Sequence, residues 1–143
     1  MIVDVKYSTT RGDCYESAVN AMVHCKWHQL MDSLPKGRAG WRLVHTLCRG
    51  GGPIEGIRFG HAFLINRRYQ LVLDLANGRG GLIPAERYYE LGDIRPGTFP
   101  CYEYPFRKMQ EMMVKYETYG PWGEAFDKIT KFEAASLAKN IIT

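Results

Sequence analysis

Apolar and polar positions alternate most clearly over residues 59–77, FGHAFLINRRYQLVLDLAN. Two runs rich in branched and aromatic residues, 59–65 and 69–75, flank the polar segment Asn66, Arg67 and Arg68, which predicts a β-hairpin. A two-residue loop of Arg67 and Arg68 pairs Asn66 with Tyr69 and sets His61 directly across from Asp74, on one face of the sheet. A three-residue loop would turn Asp74 to the other side. Over 13–33 the period changes. Ala18, Met22, Cys25 and Leu30 recur at helical spacing and Val19, Val23 and Trp27 widen the stripe, so a long central helix is predicted, ended by Leu34-Pro35-Lys36-Gly37. Residues 41–48 read as a strand with Trp41, Leu43, His45 and Leu47 on one face and Arg42, Val44, Thr46 and Cys48 on the other. Residues 1–7 form a short strand or an extended arm, 84–89 a helical turn starting at a proline, and 98–104 a last strand that Pro100 places at an edge.

From Pro105 the pattern is helical again. Phe106, Met109, Met113 and Tyr116 carry one helix to Tyr119, Gly120-Pro121 breaks it, and 122–142 supplies another with Phe126, Ile129, Phe132, Ala135 and Leu137. These aromatic and methionine stripes read as core packing first, with a protein partner docking on the C-terminal helices as the second reading. The elements sum to an α+β domain: an N-terminal central helix packed on an antiparallel sheet of about four strands, with helices added at the C-terminus.

At 143 residues, 45% apolar and 24% charged, the chain has the makings of one domain able to bury roughly two-thirds of its unfolded surface. Nineteen Lys and Arg against fifteen Asp and Glu are spread along the chain, which does not suggest a nucleic-acid partner. No segment approaches the ~20 apolar residues that span a bilayer, and no basic head and apolar run mark a leader, so a soluble cytoplasmic protein without membrane attachment is expected. The four cysteines show no CxxC spacing and are read as reduced thiols, Cys25 and Cys48 as small core residues.

Cys14 reads differently. Asp13 is a good helix N-cap and Glu16 completes a capping-box pattern, so Cys14 falls in the first helical turn. Unpaired backbone N–H groups and the positive end of the helix dipole favour a thiolate there. A thiol at a helix start with histidine and aspartate delivered by a later hairpin makes a nucleophile, a base and an orienter: Cys14, His61 and Asp74. The glycine-rich stretch 49–56 precedes His61 and is a candidate mobile flap; it lacks the Gly-Lys-Ser/Thr ending of a phosphate loop. His24 and His28, at i and i+4, lack a matching HExxH glutamate and are read as a surface pair rather than metal ligands. His45 is read as a packing or solvent-facing residue, and Arg67-Arg68 as a solvated turn. Neither a metal nor an organic cofactor is implied.

The order of Gly12-Asp13-Cys14 opening an apolar helix, Gly60-His61-Ala62-Phe63 on a strand, and Asp74 closing the hairpin resembles the papain-like cysteine hydrolase superfamily, above all its transglutaminase-like branch and bacterial papain-like processing peptidases. The likeness spans about residues 10–78. It implies a papain-like catalytic core over 1–104, a helical extension over 105–143, and a triad of Cys14, His61 and Asp74. Where many papain-like peptidases carry a glutamine for the oxyanion, this chain has Tyr7, Ser8, Thr9 and Thr10, so the oxyanion would rely on the Cys14 N–H with a hydroxyl from this segment. Asn77 is the alternative orienter, as papain-like enzymes often use asparagine.

The expected function is a cysteine-dependent hydrolase that cleaves an amide, peptide or related acyl bond through a thioester, acting on a protein, peptide or small amide substrate. The alternatives are a transglutaminase-like acyltransferase and a non-catalytic protein- or nucleic-acid-binding module on the same frame.

Overall fold

A computed structural model describes residues 14–23, 34, 36–49, 58–74 and 82–124. The arm 1–7, the glycine-rich stretch 50–56, the turn 78–81, His24, Cys25, His28, Asn77 and the tail helix beyond Glu124 lie outside the described residues. Helix α1 (Cys14–Val23) is followed by a short 3-10 turn (Gly37–Gly40) and strands β1 (Trp41–Arg49), β2 (Arg58–Asn66), β3 (Leu71–Leu73) and β4 (Leu82–Pro84). Helix α2 (Ala85–Leu91), strand β5 (Cys101–Pro105) and helix α3 (Phe106–Tyr116) complete the order. The class is α+β. Among the described residues the sheet has five antiparallel strands in the order β4-β3-β2-β1-β5, against the about four that the sequence predicts. The extra strand, β4, is three residues long, too short for an alternation of apolar and polar positions to reveal it.

Alternation along β1 sorts the core into two layers, as its sequence predicts. Trp41 and Leu43 join Ala62, Leu64, Leu73 and Tyr104 in a cluster covered by α1 residues Ala18, Val19 and Met22 and by Met109 of α3. Val44 and Cys48 join Phe63, Ile65, Val72, Ala85, Tyr88 and Ile94 on the other face, under α2. Each fully buried Leu, Ile or Phe in these layers stabilises by about 1.5–3 kcal/mol relative to exposure. Strand β5 lies at an edge and begins directly after Pro100, where the missing proline N–H costs no ladder bond. In α3, Met109 is fully buried and Phe106, Met112 and Met113 pack against the α1-side cluster, so this stripe is core packing. Among the described residues no helix is long and apolar enough to cross a membrane.

The segment after α3 departs from the predicted pattern. The helix ends at Tyr116 instead of Tyr119, with Glu117 in the left-handed region at φ 55°, and residues 122–124 are not helical. Burial decides this. Trp122 is 2% exposed in the α1-side cluster, its indole N–H donates to the Thr118 carbonyl at 2.9 Å, and its backbone N–H donates to the Glu124 carboxylate. That carboxylate meets His45 of β1, Nδ1 to Oε1 2.5 Å, and accepts from the Tyr104 hydroxyl at 2.9 Å. His45, read from sequence as packing or solvent-facing, is thus fully buried and half of an ion pair. Its ring lies 4.8 Å from Tyr15 and 4.8 Å from Trp122, centroid to centroid. Gly120 crosses over this ring at φ 117°, and a Cβ there would sit 2.8 Å from the His45 Cε1, so only glycine fits.

Breaking a buried ion pair by removing one partner costs about 3–5 kcal/mol. Glu124→Ala is therefore expected to lower the urea-unfolding free energy by about that amount, whereas Gln110→Ala, on the exposed face of α3, changes it by about 0.5 kcal/mol or less.

Candidate active site

The hairpin that presents His61 has a four-residue turn, 67–70, not the predicted pair Arg67-Arg68. Asn66 shapes it by accepting the Tyr69 N–H on its side-chain oxygen at 3.1 Å, an Asx-type turn, and Gln70 takes the left-handed conformation at φ 50°. The observed register pairs Asn66 with Leu71, Ile65 with Val72 and Leu64 with Leu73. Relative to the predicted register, the second strand has slipped by two residues. Because side chains alternate with a period of two, a slip of two preserves the face, so Asp74 still points to the same side as His61. It lies on a diagonal from His61 rather than directly across, which long side chains still bridge.

His61 Nε2 lies 2.8 Å from Asp74 Oδ2. Tyr88 of α2 donates its hydroxyl to the same carboxylate oxygen, and that hydroxyl is 3.1 Å from His61 Nε2. The three side chains are buried together, with Asp74 3% and His61 7% exposed. Burial works against a charged imidazole, but the Asp74 carboxylate, by its charge and its hydrogen bond, outweighs it. Smaller contributions from the Cys14 and Cys48 thiols push the same way, so the His61 pKa stands well above the ordinary 6.5. Burial pushes the Tyr88 phenol well above its ordinary 10, and the neighbouring Asp74 charge and hydrogen bond push the same way. Cys48 is raised by burial to about 11.

The structure therefore brings His61 and Asp74 into direct contact, with Cys14 buried in the core cluster that also holds Ala62, the next residue of β2. Cys14 is the first described residue of α1; the predicted cap, Asp13, lies outside the described residues. Cys14 differs from prediction in one respect: it does not stand apart from the core cysteines but packs at 8% exposure with Ala18, Met22 and Ala62, the neighbour of His61 in β2. The first turn of α1 faces the sheet, which is why its thiol is enclosed. Cys14, Cys48 and Cys101 are all free thiols.

Tyr88 is the member the sequence reading missed. Its signal lay in the turn after Pro84, where Ala85 and Tyr88 share one helical face by their i, i+3 spacing. A tyrosine on the buried face of a helix needs a partner for its hydroxyl. Packing of its ring against Phe63, centroids 4.8 Å apart, holds that hydroxyl over Asp74.

Among the described residues no group of three or more His, Cys, Asp or Glu is arranged to hold a metal ion. An open depression along α3, lined by Arg107, Gln110, Glu111, Val114 and Lys115, contains none of the residues above. At the level the fold and site define, the protein is an α+β domain in which a strand histidine, a carboxylate and a tyrosine converge, with a helix-borne thiol buried in the core. The chain matches no protein-family model, no curated protein and no solved structure.

The raised His61 pKa has a signed consequence for stability. A histidine whose folded pKa exceeds its unfolded value contributes fully below the unfolded value, about 6.5, and that contribution is lost as pH rises through the folded pKa. The stability advantage of the wild type over His61→Gln, measured by urea unfolding in steps upward from about pH 5.5, is expected to shrink with pH. An advantage that grows over this range contradicts the pairing.

Proposed function

We propose that the protein is a cysteine-dependent hydrolase acting on an amide, peptide or related acyl bond, with Cys14 as nucleophile, His61 as base and acid, and Asp74 as the group that orients His61. One observation carries the reading: a buried His61–Asp74 hydrogen bond, with the buried Cys14 of α1 in the core cluster that holds Ala62, the next residue of the same strand. A helix starting at the cysteine and packed on an antiparallel sheet supports a papain-like frame. Free thiols suit a reducing compartment such as the cytoplasm.

In this mechanism Asp74 occupies Nε2, so Nδ1 is the nitrogen that takes the thiol proton. The Cys14 sulfur attacks the acyl carbon, and the backbone N–H groups of the first turn of α1 receive the oxyanion. His61 gives its proton to the departing amine as the C–N bond breaks, leaving a thioester. Water, deprotonated by His61, then adds to the thioester carbonyl, and the acid and the thiol are released. An amine in place of water would give acyl transfer; hydrolysis is preferred because no sequence feature marks an amine-binding pocket.

Alkylation tests this without a known substrate. Near pH 6 iodoacetamide is expected to label Cys14 about tenfold or more faster than Cys48 or Cys101, with His61→Ala abolishing that advantage. A bulky maleimide reacts more slowly at Cys14, as the enclosure requires. Labelling that is uniformly slow, or indifferent to His61→Ala, overturns the hydrolase and leaves a binding module.

A further inference from the structure

Three polar atoms meet at one point of the site, and their protons can be counted. Asp74, ionised, has only lone pairs to offer, so the hydrogen bond between it and Tyr88 has the phenol as donor. A phenol has one proton. With that proton committed to Asp74, the Tyr88 oxygen can meet His61 Nε2, 3.1 Å away, only as an acceptor. Nε2 must then carry a hydrogen, shared between Asp74 Oδ2 at 2.8 Å and the Tyr88 oxygen. In the other tautomer the bare Nε2 lone pair would confront lone pairs on both oxygens, so Tyr88 adds a second penalty to the one Asp74 imposes.

We propose that Tyr88 is a positioning residue: by donating to Asp74 and accepting from His61 Nε2–H, it holds the imidazole in the tautomer whose Nδ1 can take the Cys14 proton. This rests on the reading of Cys14 and His61 as the reacting pair. The phenol also tunes that pair. By donating to Asp74 it draws off part of the carboxylate's charge, which would otherwise fall wholly on the imidazolium. The other titratable groups around the ring are Cys14 from α1 and Cys48 from β1, with Arg58 of β2 acting on Cys48. Neither Cys48 nor Arg58 is hydrogen-bonded to the imidazole, Arg58 being bound to Asp93 through its carbonyl and carboxylate. Tyr88 is thus the one other side chain hydrogen-bonded to both His61 and Asp74 among the described residues.

The test is nitrogen NMR of His61 in the full chain, following the share of each tautomer and the titration midpoint. Tyr88→Phe keeps the ring that packs on Phe63 and removes only the hydroxyl. It is expected to lower the share of the Nε2–H tautomer and to raise the midpoint by about one pH unit, because Asp74 then acts undiluted. Replacing Tyr88 with 3,5-difluorotyrosine, a stronger donor of nearly the same shape, is expected to shift the midpoint downward, and serves where Tyr88→Phe fails to fold. Opposite shifts from the two replacements are a result that loss of packing does not produce. An unchanged tautomer share and midpoint in the folded variants, or shifts of the same sign, overturn the proposal. Cys14→Ala separates the two readings. If it leaves the His61 midpoint unmoved while the Tyr88 replacements shift it in opposite directions, the Cys14–His61 reading fails, and Tyr88 is left positioning a histidine that is not coupled to the thiol.

Discussion

A carboxylate buried to the extent of Asp74 is held in its charged form only by donors that replace water. The end of β3 supplies the acid, β2 supplies the imidazole and α2 supplies the phenol. Three elements are thereby tied at one point, and the tie explains their relative placement. α2 lies where its Tyr88 reaches Asp74, and the β2–β3 register is one that keeps Asp74 on the His61 face. Apolar packing around Phe63, Val72 and Ala85 excludes water from the cluster, which strengthens each of these contacts electrostatically.

The opposite face of the sheet carries a second ionisable pair, and the two are close in the ladder. His45 lies across from Ala62, and Thr46 lies across from His61, so adjacent rungs present one histidine to each layer. The His45–Glu124 pair ties the segment after α3 to β1 and brings Gly120 and Trp122 over the ring. Tyr15, which packs edge-on against His45, follows Cys14 in α1. The strap therefore backs the same helix turn that carries the thiol. The two pairs differ in their partners: the fully buried His45 ring meets Glu124, while the His61 ring meets Asp74 and Tyr88.

A cluster of arginines around Asp93 shows how charge is handled at the other end of the sheet. Arg58, 8% exposed, donates to the Asp93 carboxylate at 2.6 Å and carbonyl at 2.8 Å and lies over the Phe99 ring. Arg95 donates to the same carboxylate at 2.8 Å. These bonds pin the turn after α2 to the start of β2, and with it the helix that carries Tyr88. Arg95 is more than half exposed, so solvent screens its bond and its role is chiefly geometric, whereas Arg58 is buried.

The sequence by itself determined the elements whose signal is local. Alternation assigned β1 and its two faces, the proline at position 100 placed the last strand at an edge, and apolar residues at helical spacing marked α1. It also determined that His61 and Asp74 would share a face, although by a register that was two residues off, because a period of two cannot distinguish slips of two. Only the tertiary structure decided the rest. The strand β4 was too short to carry a period, and Trp122 left its predicted helix because burying an indole outweighs the propensity of a few residues. Glu124 found His45 from 79 positions away, and Tyr88 found Asp74 from a different element. Partners such as these are chosen by the low dielectric of the interior, which makes an unpaired buried polar group costly and so favours a mate wherever in the chain it lies.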